Sequence, residues 1–303
     1  MPTIETVTGP VDSDTVGLTL PHEHVFVDLS GSDDARRRLD WPTIRDDCSR
    51  TLAGLRRLDV DLLVDPTALG IGRNAGLLRD VSSATGVRIV CATGIYKGFV
   101  PGELQEATPE ALAARFVQEL TEGIDGTDVR AGVIKLATTE TGPTPRETDI
   151  HRAGAMASVS TDAAIVLHSP HAEVTRDVVA VLEAEGFAPA RLIWAHAHDS
   201  TPEENLEFAE RGVTISYDAI SARDDAEMID RIELLGEKGF GDRVIVSTDT
   251  SMWIEPPDLA YERSIEHLLG VFLPHLEARL GSDTRHRLTH ENPVRAIARS
   301  TGG

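Results

Sequence analysis

Histidine, lysine and aspartate side chains follow or interrupt short apolar runs at several points of this sequence, where they could bind metal ions. The run 17–20 leads into His22-Glu23-His24, whose two histidines project from one side of an extended segment. Imidazole nitrogens at this spacing can bind one divalent cation. Three later apolar runs end in residues of the same kind, His168, His196 and Asp249. One such residue is usually a hydrogen-bonded core or rim side chain, but their joint placement predicts a metal site.

Lys135 lies inside the apolar run 131–137, where an unpaired ammonium group would be costly to bury. Either a carboxylate pairs with it, or burial and nearby cations lower its pKa until it loses its proton. A neutral amine can capture carbon dioxide, and the carbamate could bridge two metals as a carboxylate does. We therefore hypothesise a carboxylated Lys135. Lysine is scarce in this chain, so each one is informative; the three stand at positions 97, 135 and 238.

The elements that would position these residues are repeated strand–helix units, because short Val-, Ile- and Leu-rich runs alternate with longer segments of helical periodicity. The predicted strands are 17–20, 61–65, 87–93, 131–137, 164–168, 192–196, 213–217 and 243–247. The predicted helices are 42–58, 73–84, 108–122, 145–160, 173–185, 203–211, 224–237 and 260–280. Pro274 should kink or split the last helix.

Eight such units predict a single (β/α)8 TIM barrel, an α/β fold, over residues 1–303. An open Rossmann-type sheet is the competing architecture, but no GxGxxG follows the first strand and no GxxxxGK[ST] occurs. Active sites of barrels lie at the C-terminal ends of the strands, which is where the candidate ligands stand. The fold prediction and the site prediction therefore support each other.

Charge and composition narrow the function classes. The chain has 50 acidic and 29 basic residues, and its net charge of -21 would repel nucleic acid and anionic lipid. No run of 18 apolar residues and no secretory signal is present, so we expect a cytoplasmic protein that acts on a small molecule. Cys48 and Cys91 form no metal-binding pair and are interpreted as structural thiols.

The order of these residues on their strands resembles the phosphotriesterase family of the amidohydrolase superfamily. The likeness covers most of the chain through the segments 8–10, 21–24, 71–73, 93–96, 132–135 and 291–293. The resemblance implies that His22, His24 and Asp249 hold the more buried of two metals and that His168 and His196 hold the more exposed one. It also implies that carboxylated Lys135 and a hydroxide bridge the metals, and that the protein forms a homodimer, as relatives often do.

The same resemblance implies a hydrolase, but it does not fix the substrate. Tyr96 is similar to a pocket tyrosine of the lactonase branch and could orient a carbonyl; a packed rim tyrosine is the alternative. Ala219 follows Asp218 where phosphotriesterases carry histidine and lactonases arginine. His198 and Asp199 could replace that side chain in a proton relay from Asp249, or His198 could be a supporting or a solvent-exposed residue.

We expect the bridging hydroxide to attack a lactone or other carboxylic ester, with phosphotriester hydrolysis as a side activity. The loop 250–257 is short, which disfavours the lid of an acyl-lactone binder, although Met252 and Trp253 give it apolar surface. An amide or carbamate hydrolase, a true organophosphate phosphotriesterase and a non-catalytic metal-binding barrel are the alternatives. Zinc is the favoured metal, and manganese, cobalt or iron would suit the same ligands.

Overall fold

A computed structural model of the protein describes residues 1–260 and 263–300. Within them, eight parallel strands form one sheet in which each strand pairs with its neighbours in sequence. The strands are β1 (Leu18–Leu20), β2 (Val60–Asp65), β3 (Arg88–Ile95), β4 (Val133–Ala137), β5 (Ile165–His168), β6 (Leu192–Ala195), β7 (Thr214–Tyr217) and β8 (Val244–Val246). This sequential parallel order confirms the predicted barrel and excludes the Rossmann-type alternative.

Helices follow the strands at nearly the predicted positions. They are α1 (Trp41–Arg57), α2 (Ala75–Thr85), α3 (Pro109–Thr121), α4 (Pro145–Thr161), α5 (Ala172–Ala184), α6 (Pro202–Glu210), α7 (Asp225–Glu237) and α8 (Leu273–Leu280). Local sequence explains their starts, since α4 and α6 each begin with a capping box, Thr144 with Glu147 and Thr201 with Glu204. Proline occupies the first turn of both, where its missing N–H costs nothing.

The last predicted helix, 260–280, is only partly correct. Residues 261 and 262, like 301–303, lie outside the described residues, and Ala260 has extended backbone. Helical structure begins at Ile265, continues as a π-helical segment over Leu268–Phe272 and becomes α8. The π-helical segment ends just before Pro274. Proline has no backbone N–H and its ring clashes with the preceding turn, so the regular hydrogen bonds of an α-helix are interrupted there.

Both faces of the barrel strands are buried, which explains their continuous apolar runs. Inward side chains such as Val64, Val90, Val133 and Val166 fill the barrel interior. Outward side chains pack against the helices in a second, larger cluster. The unpredicted hairpin Thr3–Thr6 with Gly9–Asp12 lies at the opposite end from the strand C-termini and adds Ile4 to the interior cluster. Cys48 and Cys91 are both buried, in agreement with a structural role.

The seam between β1 and β8 is closed beyond the ends of the two strands. Asp249 N donates to His22 O at 3.0 Å, and His24 N donates to Thr250 O at 2.8 Å. Ser247 Oγ also donates to His22 O at 2.9 Å. The segments that complete the barrel are therefore those that carry three of the candidate metal ligands.

Candidate metal centre

His22, His24 and Asp249 converge at the seam. The Nε2 atoms of His22 and His24 lie 3.4 and 3.1 Å from Asp249 Oδ1. The three residues form a group whose ligand atoms could hold one metal ion. Burial would raise the pKa of Asp249, but the neighbouring histidines hold it well below its usual range. Burial disfavours the charged form of His22 and lowers its pKa to about 4, so its ring is neutral, which is the form that binds metals.

Lys135 lies against this group from β4. Its side chain is almost fully buried, and Nζ is 3.4 Å from His22 Nε2. Among residues 1–260 and 263–300 no carboxylate forms an ion pair with it, and burial lowers its pKa to about 8. The salt-bridge explanation for this lysine is therefore wrong. An easily deprotonated buried amine beside the His22 imidazole fits carbamate formation.

Gly94 on β3 lets the neighbouring backbone approach Lys135. Its φ is +101°, and a Cβ atom there would stand 2.0 Å from Lys135 O. Only glycine combines this left-handed backbone with so close a contact. The Thr93-Gly94-Ile95-Tyr96 segment thus holds β4 in register at the lysine.

His168 and His196 form the second part of the site. Their ring centroids are 4.4 Å apart, and His196 lies 5.5 Å from the ring of His22. Tyr96 Oη is 3.3 Å from His168 Nδ1, so the tyrosine contacts a candidate metal ligand and is more than a packed residue at the rim. Burial holds the pKa of His168 well below its usual range, and the charges of His196 and Lys135 add to this effect. Both rings are positioned to offer a nitrogen to a second cation.

Asp218, after β7, was noticed in the sequence only as the neighbour of Ala219, yet it links the two halves of the site. Its two carboxylate oxygens lie 2.7 Å from His22 Nδ1 and 2.9 Å from His196 Nδ1. The backbone N–H of His196 also donates to Asp218. Burial would raise the pKa of Asp218, but His196 and His22 hold it well below its usual range. Both ring N–H groups are thereby fixed at Nδ1, which leaves Nε2 for a metal.

The group of His196, His198 and Asp218 could also hold a metal ion, since their ligand atoms lie within 4.8 Å of one another. The hydrogen bonds argue against a metal on Asp218, because both of its oxygens already accept from ring and backbone N–H groups. His198 Nδ1 lies 3.4 Å from Asp218 Oδ1. Within the described residues its charged contacts are with Asp218 and Asp199, and none joins it directly to Asp249.

Three further residues support the ligands and were missed in the sequence. Thr67 Oγ1 lies 2.7 Å from His24 Nδ1, and Arg263 Nη1 donates to Asp249 Oδ2 at 2.5 Å. Glu23, buried between the two histidines of the motif, accepts four hydrogen bonds from the β8 end, from Ser247, Thr248 and Thr250. The His-Glu-His spacing could have suggested Glu23. The other two come from distant segments that carry no local signal.

His196 and Asp249 both leave their strands in left-handed backbone conformation, with φ of 64° and 52°. Such conformations are uncommon for residues other than glycine and concentrate at functional sites, where surrounding contacts maintain them. Here they turn both side chains inward across the mouth of the barrel.

A cavity of about 550 Å³ opens above these residues. Ser251 and Ile254 line it from the loop after β8, whereas Met252 and Trp253, expected to supply apolar surface, pack against the hydrophobic core. Its lining residues include all six predicted ligands and Tyr96, together with Lys97, Glu140, His198, Asp199, Ala219, Arg223 and Arg263. In the described part of the chain no helix is long and apolar enough to cross a membrane.

Imidazole nitrogens with a shared carboxylate and a deprotonatable lysine are a donor set that suits divalent metals. The fold, the group of His22, His24 and Asp249 and the neighbouring pair of His168 and His196 define a barrel protein with a candidate binuclear metal centre. The chain belongs to the phosphotriesterase family, whose family model matches residues 2–297.

Known proteins resemble this chain over most of its length. The phosphotriesterase homology protein of Mycobacterium tuberculosis is 29% identical, over 100% of this chain and 99% of its own length. An N-acetyltaurine hydrolase of Danio rerio is 24% identical, over 81% of this chain and 83% of its own. A solved mutant of a phosphotriesterase-like lactonase from Deinococcus radiodurans superposes with a TM-score of 0.86 at 30% identity, over 97% and 100% of the two chains.

Proposed function

We propose that this protein is a binuclear metal-dependent hydrolase of a lactone or other carboxylic ester, with phosphotriester hydrolysis as a side activity. The observation that carries the proposal is the convergence of His22 and His24 Nε2 on Asp249 Oδ1, with Lys135 Nζ beside them. These four residues would hold one divalent cation, and His168, His196 and carboxylated Lys135 the second. Zinc is the favoured metal, and manganese, cobalt or iron would suit the same donors.

The metal pair would acidify a water molecule and polarise the substrate carbonyl. In the net reaction, water adds its oxygen to the acyl carbon and the acyl C–O bond breaks. One proton of the water ends on the departing oxygen, and the other is released as the new carboxyl group ionises. Tyr96, within hydrogen-bonding reach of His168, orients the carbonyl group. Asp249 accepts the proton that is released, and His198 is proposed to pass it outward. Since His198 contacts Asp218 rather than Asp249, that last transfer needs a water molecule between them.

The two metals can be tested directly. Protein purified without chelator, then supplied with zinc, manganese or cobalt and bicarbonate, should contain two metal ions per chain by elemental analysis. Less than one metal per chain under every condition would contradict the binuclear site and favour a non-catalytic barrel.

Lys135→Ala tests the proposed bridge. The variant should lose metal and activity, because the cations would lack their shared ligand, and short carboxylic acids such as acetate or propionate should restore part of both. Full activity of the variant without added acid would rule out a carbamate bridge. Lys238→Ala, which changes an exposed lysine after α7, is the matched control and should behave as the wild type.

Substrate class is tested by a panel of lactones, linear esters, amides and phosphotriesters. Highest kcat/KM on lactones or esters is the expected result. An amide preference would favour the main rival, which is supported by the N-acetyltaurine hydrolase relative. A phosphotriester preference would show a true phosphotriesterase and contradict the ester assignment.

A further inference from the structure

Lys97 is a cationic side chain of the cavity to which the proposed hydrolysis gives no role. It follows Tyr96 in the loop after β3, is half-buried and lines the cavity. Lys135 and His168 line the same cavity, so Lys97 faces the space in which a substrate of the proposed centre would bind.

The two guanidinium groups of the cavity already have carboxylate partners. Arg263 donates to Asp249, and Arg223 donates to Asp199. Lys97, by contrast, forms neither an ion pair nor a side-chain hydrogen bond with any residue of the described ranges. Half-burying an ammonium group without a partner is unfavourable, so this position would gain from an anion.

The carboxylates near Lys97 do not act as its ion-pair partner. Glu147 and Glu140 act on it only over longer distances. The Glu147 carboxylate accepts from Thr144 N at 2.9 Å as part of the capping box of α4. Glu140 is exposed to solvent, where water and salt weaken its attraction.

The cavity is less acidic than the chain as a whole. Apart from Lys135, which is proposed to carry the metal-bound carbamate, its charged lining consists of three cationic side chains, Lys97, Arg223 and Arg263, and three carboxylates, Glu140, Asp199 and Asp249. The full chain, by contrast, has 50 acidic and 29 basic residues. This local balance favours an anionic ligand more than the rest of so acidic a protein would.

We propose that Lys97 binds an oxyanion group of the substrate, so that the natural substrate is a small organic anion carrying the scissile bond near a carboxylate, sulfonate or phosphate. This inference rests on the proposed hydrolase function and narrows its substrate class. The metal centre would act on the acyl group while Lys97 holds the charged end at the mouth of the cavity.

A matched substrate pair tests the proposal: γ-valerolactone, and the lactone in which a carboxylate replaces the methyl group. In the wild type the carboxylated lactone should have the lower KM. Lys97→Ala should raise that KM about 10- to 100-fold, the loss expected for one charge-assisted hydrogen bond, and leave γ-valerolactone unchanged. Lys97→Arg should retain part of the preference, and Lys238→Ala should retain all of it. Equal KM changes for both lactones would overturn the proposal.

Ligand binding separates this proposal from the hydrolase assignment. Calorimetry on the metal-supplemented protein would compare butanoate with glutarate, 4-sulfobutanoate and 4-phosphonobutanoate, which add a second oxyanion of each kind. At least one dianion should bind more tightly than butanoate, and Lys97→Ala should remove that advantage while Lys238→Ala does not. If the dianion shows this Lys97-dependent advantage but no substrate of the panel is hydrolysed, the anion site would be supported and the hydrolase function contradicted. No advantage for any dianion, or one retained by Lys97→Ala, would overturn the anion site.

Discussion

Each histidine of the candidate metal centre has one ring nitrogen engaged and the other directed to the cavity. The engaged Nδ1 atoms lie beside Asp218 for His22 and His196, Thr67 for His24 and Tyr96 for His168. Such partners fix ring orientation and tautomer before a metal arrives. Burial would lower the pKa of His24, yet the carboxylate of Asp249, 3.1 Å from its Nε2, and that of Asp65, 3.7 Å from its Nδ1, raise it to about 9. A cation bound there would have to displace this proton.

Asp218→Asn is the sharpest residue-level test of this preorganisation. An amide of the same size has one accepting oxygen, so it cannot receive N–H donors from both His22 and His196. We expect metal affinity to fall about 10- to 100-fold, measured by competition with a chromophoric chelator. Asp199→Asn, at the cavity wall, should keep wild-type affinity. Unchanged affinity of Asp218→Asn would show that Asp218 does not orient the ligands.

At the scale of elements, the contact between β3 and β4 determines where Lys135 lies. Gly94→Ala would bring a Cβ atom to within 2.0 Å of Lys135 O, and the strands would have to separate. We expect a loss of roughly 2 kcal/mol or more in unfolding free energy, with reduced metal content. Gly98→Ala is the matched control, because Gly98 also has positive φ (+71°) but nothing within 4 Å of its Cβ position. If the two variants lose equal stability, backbone strain alone explains the effect.

Elements with strong periodicity were predictable, and those defined by contacts between distant segments were not. The eight strands and seven of the helices lie within two residues of their predicted bounds, because buried parallel strands and amphipathic helices have distinct patterns. The hairpin of Thr3–Thr6 was missed since its strands are short and lack an apolar run. Arg263 and Thr67 were missed because their importance arises only when loops from different units meet above the barrel.

At the scale of the whole molecule, stability should depend on pH through a histidine outside the metal centre. His151 of α4 is fully buried, Nε2 lies 3.2 Å from Ala137 O, and Nδ1 has no hydrogen-bond partner among the described residues. Burial lowers its pKa to about 4. In the unfolded chain this histidine has an ordinary pKa of ~6.5 and therefore binds a proton more readily than in the folded protein. The contribution of neutral His151 to the free energy of unfolding is thus fully present above that pH and is lost as the pH falls toward 4.

His151→Gln removes this titration and can still donate to Ala137 O. Between pH 7 and pH 4 the wild type should lose roughly 3 kcal/mol more unfolding free energy than the variant, measured by urea denaturation at each pH. Other titrating groups act in both proteins, so the difference isolates His151. Parallel pH profiles would show that it is not a source of acid sensitivity.

The closure between β1 and β8 also sets an order of events during synthesis. His22 and Asp249 are separated by more than two hundred residues, yet they meet in one group of possible ligands. A ribosome-bound chain that has released only its first six strand–helix units contains neither β8 nor Asp249. We therefore expect a nascent or truncated chain to acquire its full metal complement only after the C-terminal part has emerged, so that metal loading coincides with the last step of barrel assembly.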